Sequence, residues 1–206
     1  LGALEVLGRD DALDEKLVEY AFFPLSHVFN DSQRLSSRCL EVAVRCLQVL
    51  VTRGWRAKLA PEMGKQLLIL MTLLAGGSPA QDQTEAPGDD LKVAAFECIS
   101  TLTEYMGKLP RSKPIFDEVG ARTIVDQSIY LLLEAITDSP SDRVQLAAAQ
   151  AVSSLLEQVS NRVILASLLP RTVSALTKAL RPSTQARRTH RVLQIHLEIL
   201  TKTLYR

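Results

Sequence analysis

DRVQLAAAQAVSSLL, residues Asp142 to Leu156, is the stretch that decides the fold. Its apolar positions recur every three or four residues, the period of one helix face, and not at the period of two that a strand requires. Ala148 is followed three and four residues later by Ala151 and Val152, and seven later by Leu155. Small side chains on such a stripe let a neighbouring helix approach, while leucines fill the space beyond it.

The same arrangement occurs twice earlier. Ala43, Ala95 and Ala148 stand at spacings of 52 and 53. The first two are followed by Cys46-Leu47 with Leu50 and by Cys98-Ile99 with Leu102. Near the end of the chain, Leu193, Leu197 and Leu200 continue the pattern at a spacing of 45. Repeats of roughly 40 to 47 residues characterise HEAT and armadillo arrays. The expected fold is therefore all-α, an α-solenoid of about four HEAT-like antiparallel helix hairpins (an armadillo-type superhelix). An unrelated helical bundle is the competing architecture, but a bundle needs no internal period.

Working outward, the chain divides into repeats at about 11–54, 61–109, 119–160 and 161–206, a single solenoid segment over 1–206. The first helix begins near Asp11, and Pro24 predicts a kink or restart in it because it removes one helical hydrogen bond. A second helix runs from about Ser36 to Arg53, closed by Gly54 as a C-terminal cap. Pro61 opens a third, which ends at Gly76-Gly77. Residues 78–89, SPAQDQTEAPGD, contain no large apolar side chain, so 77–89 reads as a flexible loop. Asp90 is the expected N-cap of a fourth helix reaching Leu109. Later helices are placed at about 121–137, 141–160, 161–180 (interrupted at Pro170) and 184–205. The chain starts at Leu1 and not Met, which suggests a piece of something longer.

Composition narrows the function. With 24 Lys and Arg against 23 Asp and Glu, the net charge is +1, without the basic excess of a dedicated nucleic-acid domain. Only 5% of residues are aromatic, so the core is aliphatic. The longest apolar run, Leu67 to Ala75, is far short of the roughly 18 residues of a membrane span. Cys39, Cys46 and Cys98 lie in apolar helical patterns without a Cys-x-x-Cys or a companion His, which predicts reduced, buried thiols and no metal. His190 and His196 are six residues apart and point to different sides of a helix. No phosphate-binding loop, dinucleotide fingerprint, nucleophile elbow or His-Glu-x-x-His is present. No catalytic residue, cofactor, metal or small-molecule substrate is therefore expected.

Two features stand out from this background. Arg181, Arg187, Arg188 and Arg191, with His190 beside them, form a basic corner at the turn into the last helix, able to grip an acidic segment or a phosphate. A solvated hairpin corner is the simpler reading of the same residues. Tyr20, Phe22, Phe23, Phe29 and Trp55 gather aromatic side chains at the first hairpin, where core packing is expected.

Residues 20–56, YAFFPLSHVFNDSQRLSSRCLEVAVRCLQVLVTRGWR, carry a resemblance to a known family. The Phe-Phe-Pro-Leu-Ser run at 22–26, Arg-Cys-Leu-Glu at 38–41, the Leu-Glu-x-x-x-Arg-Cys-Leu-Gln pattern from Leu40 to Gln48 and Gly54-Trp55-Arg56 are similar to the amino-terminal region of the TEL-two-interacting protein one family. The likeness is clear over about 13–75 and more generic beyond. Members are long α-solenoids, the large subunit of the three-part TTT co-chaperone complex. The resemblance implies a scaffold whose partners are the other two subunits, the heat-shock chaperone machinery and phosphatidylinositol-3-kinase-related kinases such as TOR and the DNA-damage kinases. It also implies a cytoplasmic and nuclear protein with no catalytic residues. A transport or nucleic-acid-associated adaptor using the 181–191 corner is the alternative, although direct nucleic-acid binding is not expected from the composition.

Deleting residues 79–88 is expected to leave the denaturation midpoint nearly unchanged, because loop-closure entropy varies slowly with length. A loss of several kcal/mol in denaturant melts would show that the segment is packed.

Overall fold

The computed structural model describes residues 15–55, 59–76, 87–119, 123–180, 194–199 and 201, and every regular element among them is helical. Seven longer helices follow in order: α1 Glu15–Asn30, α2 Ser37–Val49, α3 Pro61–Gly76, α4 Asp89–Gly107, α5 Ile124–Asp138, α6 Asp142–Gln158 and α7 Arg162–Leu180. Residues 194–199 are helical as well. The α4–α5 connector contains a tight turn at Pro110–Ser112 and a single helical turn at Lys113–Phe116.

Local chemistry sets most boundaries. Ser36 caps α2, its side chain accepting from the Cys39 amide at 3.4 Å, and Thr123 caps α5 by accepting from Asp126 N at 3.2 Å. The α4 start differs from expectation. Gly88 occupies the N-cap in an extended conformation, and Asp89 and Asp90 sit inside the first turn, where their charge opposes the helix dipole.

Gly54 also plays a different part. α2 widens into a π-helical turn at Leu50–Gly54, with Trp55 N donating to Leu50 O at 3.0 Å. A Cβ on Gly54 would lie 2.8 Å from Val18 Cγ2 of α1, so the residue is small because another helix crosses it, and not because it caps the chain. Neither Pro24 nor Pro170 interrupts its helix. Both prolines are exposed, as are Tyr20 and Ala166 one turn before them, so water can serve the carbonyls left without a donor.

Contacts between helices define two layers. Arg45–Glu97 and Gln48–Thr101 advance together along α2 and α4, so these helices run parallel. Asp90–Arg143 and Ser100–Ser154 show the same for α4 and α6. In the other layer, Thr72–Ser128 joins α3 to α5, while Asp126–Arg171 and Asp138–Lys178 join α5 to α7. Within each hairpin the helices oppose: Val18 and Phe22 near the start of α1 meet Gly54 and Trp55 beyond α2, and Gly64 near the start of α3 meets Met106 near the end of α4. The result is an all-α solenoid of stacked antiparallel pairs, α1–α2, α3–α4 and α5–α6, with α7 stacked on α5.

The stacking register reproduces the spacing of the alanines. Side-chain pairs link successive even helices at separations of 53, 54 and 53, and α5 to α7 at 45 and 40. Ala43, Ala95 and Ala148 are all completely buried. The loop expected at 77–89 lies, apart from 87–89, outside the described residues. The step from α4 to α6 is just as long without that loop, its extra length lying in the α4–α5 connector.

α4 forms the middle of the core. It packs on α2, α3 and α6 and buries Leu91, Val93, Phe96, Cys98, Ile99, Leu102 and Met106. Each large apolar side chain buried in this way contributes roughly 1.5–3 kcal/mol. Cys46 and Cys98 are buried as expected, whereas Cys39 is half-buried; all three are free thiols. α7 is long and apolar enough by length and composition to cross a membrane. Its Arg171 and Lys178, however, pair with α5 carboxylates in the manner of the other stacked helices.

Ala148→Asp is expected to cost at least about 3 kcal/mol in a denaturant melt, since it buries an unpaired charge, whereas Gln150→Asp on the exposed side of α6 should stay within about 0.5 kcal/mol. An unchanged midpoint for Ala148→Asp would refute the stacking. Burial pushes the Cys98 thiol from 9.0 up to about 12. The folded state thus holds this proton more tightly than the unfolded chain. The associated stability is intact below pH 9.0 and is lost as pH rises toward about 12. Native Cys98 should resist iodoacetamide at pH 8 and react once the chain is unfolded, with Cys39 alkylated first.

Candidate partner-binding surfaces

The two layers present different chemistry. The even helices carry a polar ladder. Glu41, with a side chain only 7% exposed, is held by Arg38 at 2.7 Å and Arg45 at 3.0 Å, and Arg45 reaches on to Glu97 at 3.5 Å in the next pair. Gln48 Nε2 donates to Thr101 Oγ1 at 2.8 Å. Ser154 Oγ lies 2.7 Å from Ser100 Oγ and donates to Glu104 Oε1 at 3.0 Å. Water screens these pairs from the side of the arginines, which are 77% and 44% exposed, so their main effect is on register. Partners satisfy these groups on both sides, which leaves them little to offer a ligand.

The odd helices leave apolar side chains uncovered. Leu73 of α3 is 54% exposed and Tyr130 of α5 is 56% exposed. They flank an open groove of about 350 Å³ whose walls include Gly76, Asp126, Leu131 and Arg171. Thr72 sets its width: the hydroxyl donates to Leu68 O at 2.8 Å and lies 3.0 Å from Ser128 Oγ across the helix pair. Gly76 keeps one end of the groove low, since a Cβ there would press on Leu131 Cδ1 at 3.3 Å. The Arg171 guanidinium lies 5.3 Å over the Tyr130 ring and 3.4 Å from Asp126. Cation–π contact and ion pair together hold an aromatic face in place before any partner arrives. Aromatic and arginine side chains are enriched in protein interfaces relative to the rest of a protein surface.

Thr72, Asp126, Gln127, Tyr130 and Arg171 give the groove polar and aromatic groups that a partner side chain could contact. Among the described residues no group of three or more His, Cys, Asp or Glu is placed to hold a metal.

The residues singled out in the sequence fare differently. Arg181, Arg187, Arg188 and Arg191 lie outside the described residues, so the basic corner gains no geometry. The aromatic cluster divides: Phe22 and Trp55 meet edge to face at 5.2 Å and Phe29 is buried, but Tyr20 and Phe23 are 77% and 64% exposed. His196 is buried. Leu73, Tyr130 and Arg171 escaped notice in the sequence. Leu73 was hidden inside the apolar run 67–75, where nearly every position reads as core. Tyr130 could have been found, because it falls off the stripe formed by Ile129, Leu132, Leu133 and Ile136.

A family model described as the TTI1 N-terminal TPR domain matches residues 2–206. No solved structure matches the chain. TPR units repeat every 34 residues or so, whereas contacts here recur at longer intervals; both are stacks of antiparallel helix pairs. The match covers nearly the whole sequence and agrees with the resemblance carried by residues 20–56, so the chain belongs to the TTI1 N-terminal domain family.

Proposed function

We propose that this chain is the amino-terminal part of a non-catalytic scaffold in the TTT co-chaperone complex, working with the heat-shock chaperone machinery. In this reading it helps phosphatidylinositol-3-kinase-related kinases, TOR and the DNA-damage kinases among them, to mature and persist, in the cytoplasm and the nucleus. The supporting observation is the family match over residues 2–206 on a stack of helix pairs with a preformed recess suited to a protein side chain. A solenoid presents such recesses along its length, so several partners can be held at fixed separations. The ion-paired ladder of the even layer favours the odd layer as the docking side. Within it, Leu73 and Tyr130 are the anchors, and Asp126 and Arg171 form the polar rim.

Affinity purification of the full-length protein from cells, followed by mass spectrometry, tests this. The wild type should recover TOR-type kinases and two further helical-repeat proteins. Leu73→Asp with Tyr130→Ala should lower recovery of at least one of them by about tenfold, as expected for removal of interface anchors, at equal expression and unchanged helicity. Equal recovery by the variant would remove the groove from the proposal. Recovery of import cargo or chromatin alone by the wild type would overturn the scaffold reading.

A further inference from the structure

The α4–α5 connector stands at the end of the stack where even helices finish and odd helices begin. It reads Lys108-Leu109-Pro110-Arg111-Ser112-Lys113-Pro114. Lys108, Arg111 and Lys113 are all exposed, and none of them forms a hydrogen bond or ion pair through its side chain among the described residues. Arg162, at the start of α7 on the same edge, is equally exposed and unpaired.

Nearby acids do not neutralise them. Asp117 Oδ1 accepts from the backbone amides of Ser160 at 2.7 Å and Asn161 at 2.8 Å, clamping the α6–α7 turn to the connector. Glu118 is taken by Lys65 at 2.9 Å. Glu104 receives the hydroxyls of Ser100 and Ser154. Glu62, at the same end of the stack, forms no ion pair among the described residues. The contrast with the even-layer ladder is plain, where arginines are matched with carboxylates.

The connector is also held still. Ser112, Ile115 and Phe116 are buried beneath it, Ser112 N donates to Leu109 O at 2.9 Å, and two prolines restrict the backbone. The restrained backbone holds the three cationic residues near one another before a ligand arrives, so only their side chains must be ordered on binding.

We propose that Lys108, Arg111 and Lys113, with Arg162, form a docking surface for an acidic segment of a partner protein. Charge complementarity selects the occupant. The exposed side chains beside the cations are aliphatic, Val119 and Val163, each two residues from a member of the Asp117–Asn161 clamp. Among the described residues no exposed aromatic ring stands there to stack a base, as single-stranded nucleic-acid sites require. An acidic peptide carrying occasional aliphatic residues fits both features. This surface lies apart from the Leu73–Tyr130 groove and depends on the scaffold reading only in that its ligand is a protein.

The test is fluorescence anisotropy with the 206-residue chain and a labelled twelve-residue peptide of Glu and Leu. A Gln and Leu peptide and a twelve-nucleotide single-stranded DNA serve as comparisons. The Glu peptide should bind, weaken steeply with added salt, and lose roughly tenfold in affinity in Lys108→Glu/Arg111→Glu/Lys113→Glu. Arg34→Glu/Arg143→Glu/Lys178→Glu changes the net charge equally at the other end of the stack and should lose less than about threefold. Circular dichroism melts confirm that both variants fold. Equal losses in the two triple variants, or no binding of the Glu peptide, would overturn the proposal. DNA binding as tight as the peptide, lost in the same variant, would replace it with a nucleic-acid surface. Because the probe is synthetic, failure here leaves the co-chaperone reading to its own purification experiment.

Discussion

Close approach of α2, α4 and α6 is the constraint on which the rest of the structure depends. A helix can be surrounded by three others only if its side chains are small where axes come near and large where they diverge. α4 meets that condition: Ala94 and Ala95 are fully buried beside Phe96, Ile99 and Leu102. The wholly buried Ala43 and Ala148 supply the same relief on the flanking helices. Once those three helices are parallel and in contact, each partner helix has only one uncovered groove in which to lie. The odd layer follows from the even one.

Register is held by a second, weaker set of interactions. Gln48 with Thr101, Ser100 with Ser154 and Asp90 with Arg143 join residues about one repeat apart, so sliding a helix by one turn would separate all of them together. Individually each adds little to stability. Their effect on the surface is larger. By pairing their charges, the even helices give up binding capacity, while the odd layer and the α4–α5 connector keep exposed apolar groups and unpaired cations. Division of labour between a self-satisfied face and an unsatisfied one suits a chain that must both stack and bind.

The helices and their repeat were legible because both are local or periodic properties. Ser36 and Pro61 mark helix starts through local chemistry, and the alanine spacing is printed in the chain itself. Boundaries went astray where the deciding neighbour was remote. Gly54 reads as a helix cap until Val18 is found against it, and Pro24 and Pro170 read as breaks until both they and the residues one turn before them prove exposed. Asp90 reads as a cap, but the start of α4 belongs to Gly88, and the Asp90 carboxylate goes to Arg143.

Of the candidate site almost nothing could be read in advance. Leu73 lies among leucines that are nearly all alike in sequence, and it is exposed only because α5 meets α3 beside it and not over it. Arg171 acquires its role from Tyr130 and Asp126, both some forty residues earlier. By itself the sequence determined an all-α chain, the repeat length and the absence of a recognisable catalytic motif, since these rest on periodicity and on the residues present. Only the tertiary structure decided which apolar side chains stay uncovered, which cations stay unpaired and which glycines are crossed by another helix. Those outcomes depend on contacts about fifty residues apart, and no local pattern encodes them.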